Sequence, residues 1–426
     1  MSKGSLQGPR GTRDFYPEEF RFREWLFDHF REVSRQFGFE GVDAPVLELE
    51  ALFTRKAGEE ILDQLYNFEL HGRRYALRGE ITPSIARMVA ARAGALRLPL
   101  RWMSLPQCWR YERMTRGRRR EHYQWNLDIW GEPGVTAEAE LVAAIFTLVD
   151  RLGLAPGDVR LRINSRALLE ETLRAGVLRD KPDAFPALCI AIDKLDKIGT
   201  DAVGELLSDP SGSIGLAKPD AQEVVDWLGL RSVADAAAQV PADSTARSDL
   251  ERLFELLDAY GLRDRIEFDA SIVRGLAYYT GVVFEAFDAD RKLRALCGGG
   301  RYDHLLETLG GPAIPAVGFG FGDAVIRELL EDKGLLPELP RTIDALVFAF
   351  SDAERPAAVR LAQTLRAEGQ AIELVLGTVK PKRALADADR AGAARIYLLG
   401  PDEVARGEAT VRDLASGEQS TLALPR

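Results

Sequence analysis

Between Trp109 and Gly131 the chain reads WRYERMTRGRRREHYQWNLDIWG, and residues 113–120 hold five arginines in a protein of formal net charge −10. A planar guanidinium fork matches phosphate oxygens, so this cluster between two aromatic-rich segments points to a polyanionic ligand. A solvated basic turn is the competing reading. Beyond the arginines, Tyr123, Trp125, Leu127 and Ile129 alternate with His122, Gln124, Asn126 and Asp128. A period of two makes one strand face apolar and the other a polar row. Arg110 and Glu112 share a face in the same way before the loop. An antiparallel pair would set them beside Gln124 and Asp128, with the arginines at the connecting tip. A polar floor under a polycationic lid suits a small polar substrate together with a polyphosphate.

Two glycine-rich segments strengthen this reading. GFGFG (318–322) strips side chains from one strand face, and CGGGRYD (297–303) follows the hairpin pattern GVVFEAFDADRKLRALC. Interior strand glycines mark a bulge or a close approach by ligand or backbone, although turn chemistry accounts for either segment alone. With the arginine loop they imply a site on an antiparallel sheet. GxxxxGK[ST] is absent, and no GxGxxG opens a helix within a βαβ unit. Nucleotide phosphates would therefore be held by arginine side chains. The three cysteines and four histidines are scattered without metal-ligand spacing, so the residues assign no metal.

These residues need elements to hold them. Pro17, Glu18 and Glu19 suit the first turn of a helix that Gly38 can end. Its Phe20, Trp25, Phe30, Val33 and Phe37, with Phe22 and Leu26, form an aromatic stripe that faces either the core or a second subunit. GFEGVDAPVLE then reads as a turn and a strand. Residues 165–260 read as helical, and RIEFDAS and GVVFEAFD as strands. A helix follows the glycine strand over about 323–333. GLLPELPRT (334–342) is a Pro-bearing link. Beyond it, strands and helices alternate through IDALVFAFS, 353–368, AIELVLG, 381–391 and RIYLLG, a small α/β domain with a mostly parallel sheet. No stretch approaches the roughly 18 uninterrupted apolar residues of a membrane span. The basic start lacks a secretory h-region, and together with the separated cysteines this implies a cytoplasmic protein.

The motifs resemble those of the histidyl-tRNA synthetases, class II aminoacyl-tRNA synthetases, over nearly the whole chain. RGTRDFYPEE resembles the family's start, and the first helix with DAPVLE resembles the first class motif, used in dimerisation. LRGEITPSIAR resembles the LRPE-T segment, and residues 109–131 the second class motif. RGLAYYTGVVFE resembles the histidine-recognition signature, followed by GGGRYDHLLETLGG. AVGFGFGDAVI occupies the third motif, and 343–426, with TVKPKRALADADRAGA, resembles the anticodon-binding domain. The resemblance implies an α+β fold: a six-stranded antiparallel sheet flanked by helices in 1–333, including a helical insertion at about 165–260, then a linker at 334–342 and a C-terminal α/β domain.

It also implies activation of L-histidine by ATP with Mg2+, transfer to histidine tRNA, and a homodimer. Carried over by position, Arg110 holds the α-phosphate, Arg118 the outer phosphates, and Arg274 approaches the α-phosphate from the opposite side. Glu112 contacts the adenine or terminal-adenosine end, and His122, Gly320 and Gly322 line the ATP site. Glu80 and Thr82 bind the α-amino group, with Gln124 and Asp128 near the amino acid. Tyr278, Tyr279 and Tyr302 line the imidazole pocket. Three positions depart from the family pattern. Gly79 stands for the proline of LRPE, Ala277 for a frequent acidic residue, and Val325 for the ATP-binding arginine of the third motif. Arg327 is weighed as its substitute. GFGFGDAVI and RGLAYY resemble a branch that includes plant organellar-type sequences. The alternatives are a non-catalytic paralogue acting as regulatory subunit of ATP phosphoribosyltransferase, which generally lacks the anticodon domain, and another class II synthetase.

Overall fold

The computed structural model describes residues 6–57, 64–275 and 278–425, and divides into compact units at Leu336/Pro337. In chain order, the first unit contributes β1 (Glu40–Gly41), β2 (Leu47–Leu49), β3 (Asn67–Leu70), β4 (Arg73–Leu77), β5 (Leu100–Ser104) and β6 (Gln107–Trp109). They are followed by β7 (Glu121–Trp130), β8 (Val159–Ser165), β9 (Ile266–Phe268), β10 (Val282–Asp288), β11 (Cys297–Arg301) and β12 (Ala316–Gly322). Strands β5, β7, β12, β11, β10 and β8 lie side by side in that order, each antiparallel to its neighbours. This is the expected six-stranded sheet. Short parallel strands extend both edges, β1 beside β5 and β9 beside β8. Strands β2, β4 and β3 make a separate small sheet.

The alternation read in β7 decides how the large sheet is covered. Trp125, Leu127 and Ile129 join one core with the Pro17–Gln36 and Thr136–Arg151 helices. The Trp125 and Phe30 rings stack with centroids 5.3 Å apart, and the indole N–H donates to Ser34 Oγ at 2.9 Å. Each apolar side chain fully buried there contributes about 1.5–3 kcal/mol. Leu26, Phe27, Phe30 and Val33 of the first helix are all consumed in this core, whereas Phe20 remains exposed. The aromatic stripe is thus mainly a core face. The opposite sheet face meets the Thr82–Arg92 helix through Ile81, Ile85 and Val89 and carries the polar row.

Between β8 and β9 the described elements are helical, from Arg166–Ala175 to Thr245–Ala259. Serines set the starts of both of these helices: Ser165 accepts from the Leu168 N–H, and Ser244 from the Arg247 N–H.

In the second unit β13 (Ile343–Ala349), β14 (Ile372–Leu374), β15 (Ala393–Leu399), β16 (Glu408–Asp413) and β17 (Gln419–Ala423) pair in the order β14-β13-β15-β16-β17. The first two pairings are parallel and the last two antiparallel, so the sheet is mixed rather than mostly parallel. The segment 400–407 between β15 and β16 is too short for a parallel crossover, which takes about a dozen residues or more. Gly407, at φ +70°, turns the chain back instead.

One buried ion pair fastens the central sheet to its helical cover. Arg301, at the end of β11, donates to both carboxylate oxygens of Glu138 at 2.6 and 2.7 Å, and to the carbonyls of Glu132 and Gly134. Glu138 is fully buried. Removing Glu138 leaves Arg301 buried with Asp303, at 3.2 Å, as its remaining carboxylate, so Glu138→Ala should destabilise the first unit by about 3 kcal/mol. All six tryptophans precede residue 337, so fluorescence-detected denaturation reads that unit alone. A midpoint unchanged from the parent protein would contradict the assignment.

Candidate active site

The second-motif segment folds differently from the simple hairpin that its pattern suggests. Strand β6 ends at Trp109, opposite Glu121, so Arg110 and Glu112 do not pair beside Gln124 and Asp128. Instead Arg110 N donates to the Arg120 carbonyl, and Asp128 lies opposite Gly318 and Trp102. The reason is local: Glu112 N turns back to the Arg110 carbonyl, and Tyr111 N reaches the Gln64 carbonyl. The Arg110 side chain is nonetheless aimed into the site, its Nε donating to the Gly79 carbonyl at 2.9 Å. That bond restrains Gly79, where the family's proline is missing.

The arginine loop is mostly anchored rather than uniformly free for phosphate. Arg116 bridges to Glu328 and Asp332 of the Asp323–Asp332 helix at 2.8 and 2.6 Å. Arg120 lies over the Tyr111 ring, 3.7 Å from its centre, and Arg118 pairs with Glu112. Gly117, at φ +70°, makes the turn and packs on Val325. Only Arg118 and Arg119 of the five face the cavity beneath.

That cavity, about 210 Å³, brings together Arg110, Glu112, Arg118, His122, Gln124 and Arg274, and its wall includes Gly320 and Gly322. Burial, then Arg110, Arg13 and Arg118, push the His122 pKa down to about 3, so its ring is neutral at ordinary pH. Gly320 lets Gln124 approach: a Cβ there would sit 3.3 Å from Gln124 Oε1. Val325 also lines the cavity, whereas Arg327 is not among its lining residues. Its guanidinium lies 5.3 Å from the centre of the Phe22 ring, on the first helix.

Arg274 carries the clearest backbone signal, a φ of +62° at a non-glycine residue. Such conformations cost about 1–3 kcal/mol and persist where surrounding contacts impose them. Its guanidinium pairs with Glu285 and lies flat on β11 over Gly298, where a Cβ would meet the guanidinium carbon at 2.7 Å. The glycines of CGGGRYD therefore admit the protein's own side chains: Gly298 admits Arg274, and Gly300 admits Tyr279. Sequence reasoning missed Glu285, although a carboxylate in the middle of the apolar run GVVFEAFD was a usable signal.

The remaining candidates form a second, more enclosed cluster. Tyr278, Tyr279 and Tyr302 pack within 5.0–6.2 Å of one another and are buried. Tyr278 donates to Glu80 at 2.9 Å, and Tyr302 donates to Asp128. Burial raises the Asp128 pKa to about 7; the Tyr302 bond opposes this and the Glu80 charge adds to it. Thr82 is buried at the start of its helix beside Glu80. Ala277 falls outside the described residues. A second residue missed in the sequence, Arg13 of RGTRD, pairs with Glu121 at 3.2 Å and Asp323 at 2.9 Å, tying the N-terminal segment to β7 and the helix after β12.

A cationic cavity abutting a buried carboxylate–tyrosine cluster can accommodate a polyphosphate beside a small polar ligand. Comparison with known proteins places this arrangement in a family. The histidyl-tRNA synthetase model matches residues 11–323, and the anticodon binding domain model matches 344–425. A chloroplastic/mitochondrial histidine–tRNA ligase of Arabidopsis thaliana is 50% identical over 423 residues, covering 99% of this chain and 86% of that protein. The histidine–tRNA ligase of Opitutus terrae is 39% identical, over 98% of this chain and 96% of its own. The crystal structure of histidyl-tRNA synthetase from Nostoc sp. PCC 7120 superposes with TM-score 0.75 at 26% identity, covering 99% of this chain and 97% of that one. By motifs, fold and full-length relatives together, the chain belongs to the histidyl-tRNA synthetase family.

Proposed function

We propose that this protein activates L-histidine with ATP to histidyl-adenylate and transfers the histidyl group to the 3′ end of histidine tRNA. The observation that carries the reading is the closeness of the arginine-lined cavity to the Glu80–Tyr278 and Asp128–Tyr302 pairs, with Arg110 near Glu80 and Tyr278 and Arg274 near Tyr279. In this reading Glu80 and Thr82 hold the histidine α-amino group, and Gln124, Asp128 and the three tyrosines surround the imidazole. Buried hydrogen-bonding groups of this kind reject a ligand that leaves them unpaired, a discrimination of roughly 10⁴–10⁵. Arg110 and Arg274 flank the α-phosphate while the histidine carboxylate attacks it and pyrophosphate departs. Arg118 and Glu112 meet the outer phosphates and the adenosine end, beside His122, Gly320 and Gly322.

Magnesium accompanies ATP in this proposal. Among the described residues no cluster of three or more His, Cys, Asp or Glu side chains could hold a metal. Glu112 and Glu285 nevertheless face the cavity, which fits an ion bound by one or two carboxylates and substrate phosphates. Each is paired with an arginine through one carboxylate oxygen, so the other oxygen of each would hold the ion, whose charge would offset that of the polyphosphate.

The second unit is assigned the anticodon, on its match to the anticodon binding domain over 344–425. The regulatory-subunit reading is disfavoured because that unit is present and the cavity arginines are in place. Two copies are proposed to pair through the small sheet and its approach, where Val46, Leu47, Leu49, Phe68 and Leu70 are all exposed. No helix among the described residues is long and apolar enough to cross a membrane. The cysteines, all buried and unpaired, suit the reducing cytoplasm in which we place the protein.

Pyrophosphate exchange screened against all twenty amino acids should depend on histidine alone. A chain ending at residue 336 should keep exchange and lose charging. Exchange driven by another amino acid, or by none, would refute the activity. Sedimentation should show a dimer at working concentration; an active monomer would refute the pairing. Arg274→Ala should lower the rate of adenylate formation by roughly 10²–10³-fold, the cost of one lost donor to developing charge. Arg274→Lys should rescue poorly, since an ammonium cannot reproduce the fork. A folded Arg274→Ala protein with a normal single-turnover rate would leave Arg274 a structural partner of Glu285.

A further inference from the structure

Five arginines and two glutamates line the cavity, and the two glutamates are already engaged by Arg118 and Arg274. Arg110 is held by the Gly79 carbonyl. One of the remaining guanidiniums, Arg294, has no part in the chemistry assigned so far. It belongs to the turn between β10 and β11, and among the described residues it has no hydrogen-bond or ion-pair partner. The turn that carries it is well anchored. The Asp288 carboxylate accepts from the backbone N–H groups of Lys292 and Leu293, both at 2.9 Å. Leu293 and Leu296 are buried, and Gly322 N donates to the Leu296 carbonyl at 3.0 Å. This last bond fixes the turn against the cavity's glycine wall.

The surroundings of Arg294 are cationic. Although its side chain reaches solvent, partial desolvation at the cavity and then Arg118 lower its pKa, with further contributions from Arg110 and Arg274, and Glu112 is the carboxylate that opposes them. A cation held beside three others, without a carboxylate of its own, is a place where a bound anion relieves repulsion. Its depth says which part of the anion. Arg110 reaches toward Glu80 and Tyr278 at the enclosed end, whereas Arg294 is exposed at the mouth with Arg118 nearby. The Asp323–Asp332 helix contributes Val325 to the cavity wall, a side chain with no donor, and Arg327 lies over Phe22 instead.

Taking the ATP-dependent reading above as its basis, we propose that Arg294 binds the β- and γ-phosphates of ATP and so orients pyrophosphate as the leaving group. It makes from the hairpin turn the contact that the helix, with Val325 at the cavity, does not make. Arg119 lines the same cavity from the loop and also lacks a partner among the described residues, so it is the competing cation.

Calorimetric titration of the full-length protein with ATP and with AMP separates these roles, because AMP has no outer phosphates. Arg294→Ala should weaken ATP binding about 10- to 100-fold, as expected for lost charge-assisted hydrogen bonds, and leave AMP affinity unchanged. Arg294→Gln, which keeps much of the side chain's bulk, should behave the same way. Adding Val325→Arg to Arg294→Ala should recover part of the ATP affinity, a rescue that a merely structural role for Arg294 would not produce. Equal losses for ATP and AMP would overturn the assignment. So would normal ATP binding by Arg294→Ala with the selective loss appearing in Arg119→Ala. Failure of the parent protein to bind ATP at all would be different: it would remove the activity on which the proposal rests.

Discussion

The site depends on how closely side chains can approach two strands that have lost theirs. Strands β11 and β12 are antiparallel neighbours, with Gly298 opposite Gly320 and Gly300 opposite Gly318. A Cβ at Gly298 would strike the Arg274 guanidinium, and one at Gly300 would meet Tyr279 at 2.9 Å. Glycine here supplies clearance rather than flexibility. Without it Arg274 could not lie against Glu285, and the tyrosines could not close over the polar row of β7. Interior strand glycine weakens a sheet, and the loss is offset by a central position between strands whose other faces pack on large aromatic residues.

The second organising force is electrostatic. An acidic protein has gathered five guanidiniums around one cavity. Most of the loop's other arginines are held in place by carboxylates or aromatic rings, so the loop is a structured wall. The local field comes from side chains fixed close together and is insulated from the distant acidic surface by screening. Arg301–Glu138 and Arg13–Asp323 extend the same logic away from the cavity, using buried charge pairs to lock strands, helices and the N-terminal segment into one frame.

Much of this was legible in the primary structure. The period of two in HYQWNLDIW identified both faces of β7, and Pro17 and Gly38 placed the ends of the first helix to within a few residues. Glycine spacing pointed to close approach, but whether by ligand or by the protein's own side chains depended on which residues lay across the sheet. The first helix shows the same ambiguity. Its aromatic stripe announced burial, yet only packing against Trp125 and its neighbours directed Phe30 and Val33 to the core rather than to another subunit.

What the sequence alone determined, then, was local: the pleat of β7, the helix starts, the absence of a phosphate-cradling loop, and the residue types from which a family could be recognised. These depend on neighbours within a few positions, which the chain order specifies directly. The tertiary structure decided the rest. It ended β6 at Trp109, turned Arg327 onto Phe22, paired Arg274 with Glu285, and brought Arg294 to the mouth of the cavity. Each of these outcomes joins residues from separate elements, and a guanidinium finds its partner by distance in space. Sequence separation carries no such information until the sheet has brought its strands into register.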